Sequence, residues 1–143
     1  MKIYLCSFWL CLISFTCLVA QPTDIFMRHY SRIDGITRGN ALSIFQDSRG
    51  FLWIGTHFGL NKFDGYRFTN YLANPSNPNS LTNHDINCLW EDSQQRLWIG
   101  NGAGLELMDL KTEKFQFIPL DAQDSTTEST IKVKKILERP DGK

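Results

Sequence analysis

An all-β fold built from four-stranded antiparallel repeats is the class this sequence predicts, and three observations predict it. The stretch "QDSRGFLWIG", ending at Gly55, returns as "EDSQQRLWIG", ending at Gly100, so the copies are 45 positions apart. Laying 36–64 on 81–109 leaves ten of 29 positions identical: Thr37/Thr82, Asp47/Asp92, Ser48/Ser93, Leu52/Leu97, Trp53/Trp98, Ile54/Ile99, Gly55/Gly100, Gly59/Gly104, Leu60/Leu105 and Asp64/Asp109. Average residue usage predicts roughly 5–7% identity by chance, so the repeat is real. Within each copy, apolar residues alternate with the two-residue period of strands, and Gly, Asp and Asn punctuate the segments.

Residues 1–20 are one positive charge at Lys2 followed by an uncharged, mostly apolar run, which reads as an export signal. A cut after Ala20 makes it a signal peptide, and retention makes it an N-terminal membrane anchor, the chain's sole contact with membrane. Both place the remainder outside the cytoplasm. Residues 21–35 are expected to supply a lead-in strand.

The first repeat covers 36–72. "ALSIFQD" and "FLWIG" are its first two strands, with Ala41, Ser43 and Phe45 on one face, and with Leu52 and Ile54 opposite Trp53. The turn between them, Asp47 to Gly50, offers an Asp side chain to its own amides. "GLNKFDG" is the third strand, and Asp64-Gly65 turns it into the fourth, "YRFTNYL". The Asn-Pro loop 73–80 joins it to the second repeat, 81–120, whose "DLKTEK" turn is two residues longer. The alternation places Ile86, Cys88 and Trp90 on one face and Leu89 on the other.

A Ser- and Thr-rich loop, 121–130, leads to 131–143, where Ile136 and Gly142 match Ile44 and Gly50 at an offset of 92. That is 45 plus 47, the extra two being the insertion in the "DLKTEK" turn. A third repeat therefore begins. Four-stranded units at a ~40–50 residue period are β-propeller blades, which bury their faces only against neighbours, usually about four to eight around a ring. Two blades and a beginning leave the ring incomplete, so the chain reads as the first part of a larger propeller.

Composition narrows the function. Fifteen basic and fifteen acidic residues cancel, which provides no field for nucleic acid. Cys6, Cys11 and Cys17 lie in the leader and leave Cys88 alone, so no internal disulfide holds the exported part. His29, His57 and His84 lack metal-ligand spacing, and neither metal nor cofactor is expected. Asp47 and Asp92 recur at equivalent turns, which suits capping better than a catalytic pair, and Trp53 and Trp98 recur as packing residues. The structural repeat positions are Asp47, Gly50, Trp53, Gly55, Gly59, Asp64, Asp92, Trp98, Gly100, Gly104 and Asp109. Ligand contact is sought where loops differ between copies: at His57 and Phe58, which stand opposite Gly102 and Ala103, and at Tyr66.

"SIFQDSRGFLWIGTHFGLNKFDGYRFTNY", "CLWEDSQQRLWIGNGAGLELMD" and the intervening "NPNSLTNHDI" resemble the two-component regulator propeller repeats of Bacteroides-type hybrid sensor histidine kinases. The resemblance spans roughly 33–143, and departs at Gln95 and Asn101, where the pattern has Gly and Thr. It implies a periplasmic sensor of two propellers, an immunoglobulin-like domain, a membrane helix, a kinase, a receiver and a DNA-binding domain. It further implies a homodimeric, inner-membrane parent that recognises oligosaccharides from glycan breakdown and switches polysaccharide-utilisation genes. No kinase motif stands in these residues, so the chain itself is expected not to be an enzyme. An exported propeller enzyme, such as a lyase or glycosidase, and a self-assembling interaction module are the alternatives.

Overall fold

The structure is a computed structural model, described for residues 27–120 and 131–139. The leader 1–20 and the loop 121–130 lie outside those residues. Two four-stranded antiparallel sheets follow each other along the chain. The first orders β1 (Ala41–Gln46), β2 (Leu52–Thr56), β3 (Gly59–Phe63) and β4 (Phe68–Tyr71) side by side. The second repeats this with β5 (Ile86–Glu91), β6 (Arg96–Asn101), β7 (Leu105–Asp109) and β8 (Lys114–Ile118). The architecture is the propeller-blade meander, and no closed ring forms among the described residues.

The expected lead-in strand is absent from the described part of 21–35. Residues Arg32–Asp34 instead make a 3-10 turn. The cause is local: Ser31 and Asp34 satisfy each other's backbone amides in a capping box, and Gly35 ends the turn with a left-handed φ of 100°. Tyr30 just ahead packs edge-on against Phe63 and Phe68.

Pairing register fixes which face each residue serves. Phe45 lies opposite Trp53, and Leu60 opposite Gly55 and Tyr71, so Phe45, Trp53, Leu60 and Tyr71 share one face of the first sheet. In the second sheet Leu89 pairs Ile99, and Leu97 pairs Met108, which pairs Phe115. These two faces meet, and their side chains with Leu81 and Leu110 form the core. The outer face of the first sheet is open along β1, where Ile44 is 66% exposed while its counterpart Leu89 is 7% exposed.

Ile86 departs from the strict alternation. Register shifts between Ile86 and Cys88, a β-bulge, so Ile86 pairs Asn101 and joins the Leu89 face. It is fully buried there, against Gly55. Ala41 shifts likewise. A Cβ on Gly55 would stand 2.6 Å from Ile86 Cγ2, and one on Gly100 would stand 2.7 Å from Val133 Cγ1. The repeated glycine of "LWIG" is thus the place where the following repeat touches the sheet.

The first repeat's last turn also differs from expectation. Asp64 N–H donates to the Arg67 carbonyl, so the two central residues are Gly65 and Tyr66, and the fourth strand begins at Phe68 rather than Tyr66. The Asp64 carboxylate accepts from the Tyr66 and Arg67 amides, which holds the turn at that position. Loop 73–80 is built from the same device: Asn74 and Asn77 accept from the amides two residues on.

Segment 131–139 lies beside the second sheet. Its contacts reproduce those between the first two repeats: Glu91 accepts from the Ser48 amide, 43 positions away, and Glu138 from the Ser93 amide, 45 positions away, the extra two being the inserted residues. Residue 133 occupies the position of Ile86, against Gly100.

Candidate functional site

A meander of four strands has two ends, and its turns alternate between them. The β1–β2 and β3–β4 turns share one end, and the β2–β3 turn shares the other with the approaches to β1 and β5.

At the first end the repeated aspartates cap their turns. Asp47 Oδ1 accepts from the Arg49 and Phe51 amides at 3.0 and 2.9 Å, and Asp92 Oδ1 from the Gln94 and Arg96 amides at 2.9 and 3.0 Å. The other oxygen of each takes the indole N–H of the repeated tryptophan, Trp53 at 3.0 Å and Trp98 at 2.7 Å. Asp and Trp therefore form one unit, a coupling hidden in the sequence except as their shared recurrence six positions apart. Burial raises the Asp47 pKa, but hydrogen bonds from Trp53, Arg49 and the Phe51 amide outweigh it and hold the carboxyl below its ordinary range. Asp92 is lowered by the same balance. Each carboxylate is consumed by its own blade, which is the chemistry of a structural clamp. Tyr66 projects from this end, 93% exposed.

His57 and Phe58 stand at the other end. A five-residue strand, about 16 Å long, separates them from Tyr66, so the three expected ligand residues do not converge. His57 Nδ1 lies 2.6 Å from Asp85 Oδ1, and Lys132 Nζ lies 2.9 Å from the other oxygen of that carboxylate. Asp85 is held below its ordinary pKa by the Lys132 hydrogen bond, against slight burial, with His57 assisting. Its backbone is pinned too: Asn83 Oδ1 accepts from the Asp85 amide, and the Asp85 carbonyl accepts from Gly102 N–H. Phe58 is 48% exposed, with the Arg38 guanidinium 5.3 Å from its ring centre.

Sequence reasoning passed over Asp85 and Lys132. With the offsets of 45 and 47, Asn40, Asp85 and Lys132 occupy one repeat position, immediately before or at the approach to each first strand. This position differs in all three copies and lies in a loop, the criterion that selected His57, so the signal was present. Among the described residues no group of three or more His, Cys, Asp or Glu could hold a metal ion, and no helix is long and apolar enough to cross a membrane. Cys88 is a free thiol beside Val133, its pKa raised by burial.

Two antiparallel four-stranded sheets, with an Asp–Trp clamp in each and segment 131–139 lying against the second, define a propeller-repeat chain. Residues 35–58 match the two-component regulator propeller model. The chain's structure superposes with a TM-score of 0.69 on the extracellular domain described as that of a hybrid two-component system from B. thetaiotaomicron. The two are 31% identical, over 80% of this chain and 16% of the other. A 65-residue stretch is 40% identical to Histidine kinase P4 of Formosa agariphila, covering 46% of this chain and 5% of that protein. The chain thus spans a small part of the length of both proteins.

Proposed function

We propose that the chain is part of the ligand-sensing propeller region of a hybrid two-component sensor, working in the periplasm by binding and not by catalysis. The observation that carries this reading is the superposition on an extracellular sensor domain, at an identity that reaches beyond fold alone. The ligand is an oligosaccharide from glycan breakdown. Its binding favours one arrangement of the whole sensor, and that preference passes to the kinase of a homodimeric parent, regulating genes for polysaccharide use.

The end bearing His57, Phe58, Asp85 and Lys132 is the surface that supports recognition best. It offers an exposed aromatic ring beside charged donors and acceptors, and side chains there change from copy to copy while the Asp–Trp clamp and the glycine of "LWIG" do not. Isothermal titration calorimetry of the intact extracellular region against oligosaccharides from the glycans that induce the linked genes tests this. Heat of binding that disappears in Phe58→Ala supports the site, and binding unaffected by Phe58→Ala moves the site elsewhere. No heat with any inducing glycan overturns the reading.

A further inference from the structure

The two sheets differ in length at one turn. Phe63 pairs with Phe68, five positions on, whereas Met108 pairs with Phe115, seven positions on. Lys111 and Thr112 face solvent, but the two ends of the turn face the first sheet. Leu110 is 4% exposed within the core, and its carbonyl accepts from Arg49 Nη1 of the first sheet at 2.8 Å. Glu113 takes a left-handed φ of 54°, unfavourable for a residue with a side chain, and its amide donates to the Asp109 carbonyl at 2.8 Å. That geometry delivers the Glu113 carboxylate to two groups of the first sheet: Lys62 Nζ at 2.5 Å and Tyr71 Oη at 2.7 Å. Lys62 also lies 4.7 Å from the Phe51 ring centre and 5.7 Å from that of Trp53.

Position gives these contacts their consequence. Strand-to-strand packing between the sheets is concentrated where β1 and β2 meet β5. At its first residue β3 is tied to the second repeat by a backbone bond, Gly59 N–H to the His84 carbonyl at 2.9 Å; beyond that point β3 and β4 reach it through side chains, Lys62 and Tyr71 on Glu113 and the Tyr71 ring edge-on to Phe115 at 5.6 Å. The sheets form a wedge joined most closely at the first strands; on the far side turn 110–113 bridges β3 and β4 through Glu113, and the Ala73–Leu81 bridge tethers the chain just after β4.

We propose that turn 110–113 is a latch, in which the ionised Glu113 carboxylate closes the open side of the wedge and so sets the angle between adjacent blades. The charged and titratable groups around Glu113 are Lys62 on β3, Tyr71 on β4 and Arg49 from the β1–β2 turn, with Asp109, Lys111 and Lys114 on its own hairpin. Burial raises the Glu113 pKa, but the bonds from Lys62 and Tyr71 and the field of Arg49 outweigh it and leave it lowered. Tyr71 is raised beyond the ordinary phenol range, first by burial and then by Glu113, and remains the donor. A lowered carboxylate holds the latch closed above its ordinary pKa of about 4.3 and releases it as pH falls through the lowered value.

The test is amide hydrogen exchange on the full chain, compared as protection factors. The proposal is independent of the sensing role, so its failure would leave that reading untouched. Glu113→Gln and Lys62→Met at pH 7 should each lower protection of β4 and β8 by about tenfold, a charge-assisted bond discounted for the partial exposure of Glu113, while β1 and β5 change less than about twofold. Wild type should show the same selective loss in acid, ahead of global unfolding. Unchanged β4 and β8, or equal loss in all strands, overturns the latch. Should one variant fail to fold, the other decides at pH 7; should both fail, Tyr71→Phe, which removes one of the two bonds to Glu113, decides by the same comparison of β4 and β8 with β1 and β5.

Discussion

Removing the two repeated aspartates one at a time separates what the repeat has in common from what its surroundings add. The side chain of Asp47 is fully buried, and the Trp53 ring it holds is 0% exposed. Asp47→Ala leaves Trp53 Nε1 and the Phe51 amide without their acceptor in places water reaches poorly. At about 1–3 kcal/mol for each stranded donor, the expected loss is about 3–4 kcal/mol. That is a large share of the ~5–15 kcal/mol that holds a typical domain. Asp92 accepts the equivalent bonds, but Trp98 is only partly buried and borders a cavity of about 290 Å³ lined by Trp90, Arg96, Leu105 and Ile136. Water can replace the lost acceptor there, so Asp92→Ala should cost about 1–2 kcal/mol. Urea unfolding followed by tryptophan fluorescence measures both, with unchanged m-values required for the comparison. A midpoint that falls at least as far for Asp92→Ala as for Asp47→Ala would refute the argument that burial, and not the shared motif, sets the cost.

Three further outcomes follow from the same structure. Gly55→Ala drives a methyl to 2.6 Å from Ile86 Cγ2 in a buried strand, and should lower stability by about 2–3 kcal/mol in the same urea assay, while Gly50→Ser at the exposed β1–β2 turn should cost less. Gln95 stands at φ 60° where the first copy has Gly50 at φ 91°, so Gln95→Gly should stabilise by up to about 1 kcal/mol, seen as a raised midpoint. Asp47, Asp64, Asp92 and Asp109 all have lowered pKa values, so the stability they add is present above the unfolded value of about 3.9 and is lost as pH falls through their folded values. Glu106 works the other way: burial raises its pKa, so ionisation costs native stability as pH rises from its unfolded value through its folded one. Thermal unfolding between pH 3 and 7 should therefore show a steep acid loss that is shallower in Asp47→Ala, and a pH-independent transition temperature would contradict this.

Glu106 also illustrates what pattern reading misses. It is fully buried, accepting from the Thr82 amide and hydroxyl and from Asn101 Nδ2. Its counterpart Asn61 does the same work in the first repeat, accepting from the Thr37 amide at 2.8 Å and donating to Thr37 Oγ1. A mid-strand Glu or Asn reads as solvent-facing, yet the recurring Thr37/Thr82 marked the other half of the clamp.

The sequence by itself determined the period, the strand order and the turn aspartates, because these depend on local alternation and on spacings that recur. Tertiary structure decided the rest. It turned Ile86 inward by a bulge, joined Asp to Trp within each blade, and brought Asp85 between His57 and Lys132. It also turned a two-residue insertion into contacts between sheets. The division has one physical cause. Hydrogen-bond ladders and turns are set by residues close in sequence, whereas the partner of a side chain is set by how one sheet lies against the next, and no single repeat encodes that.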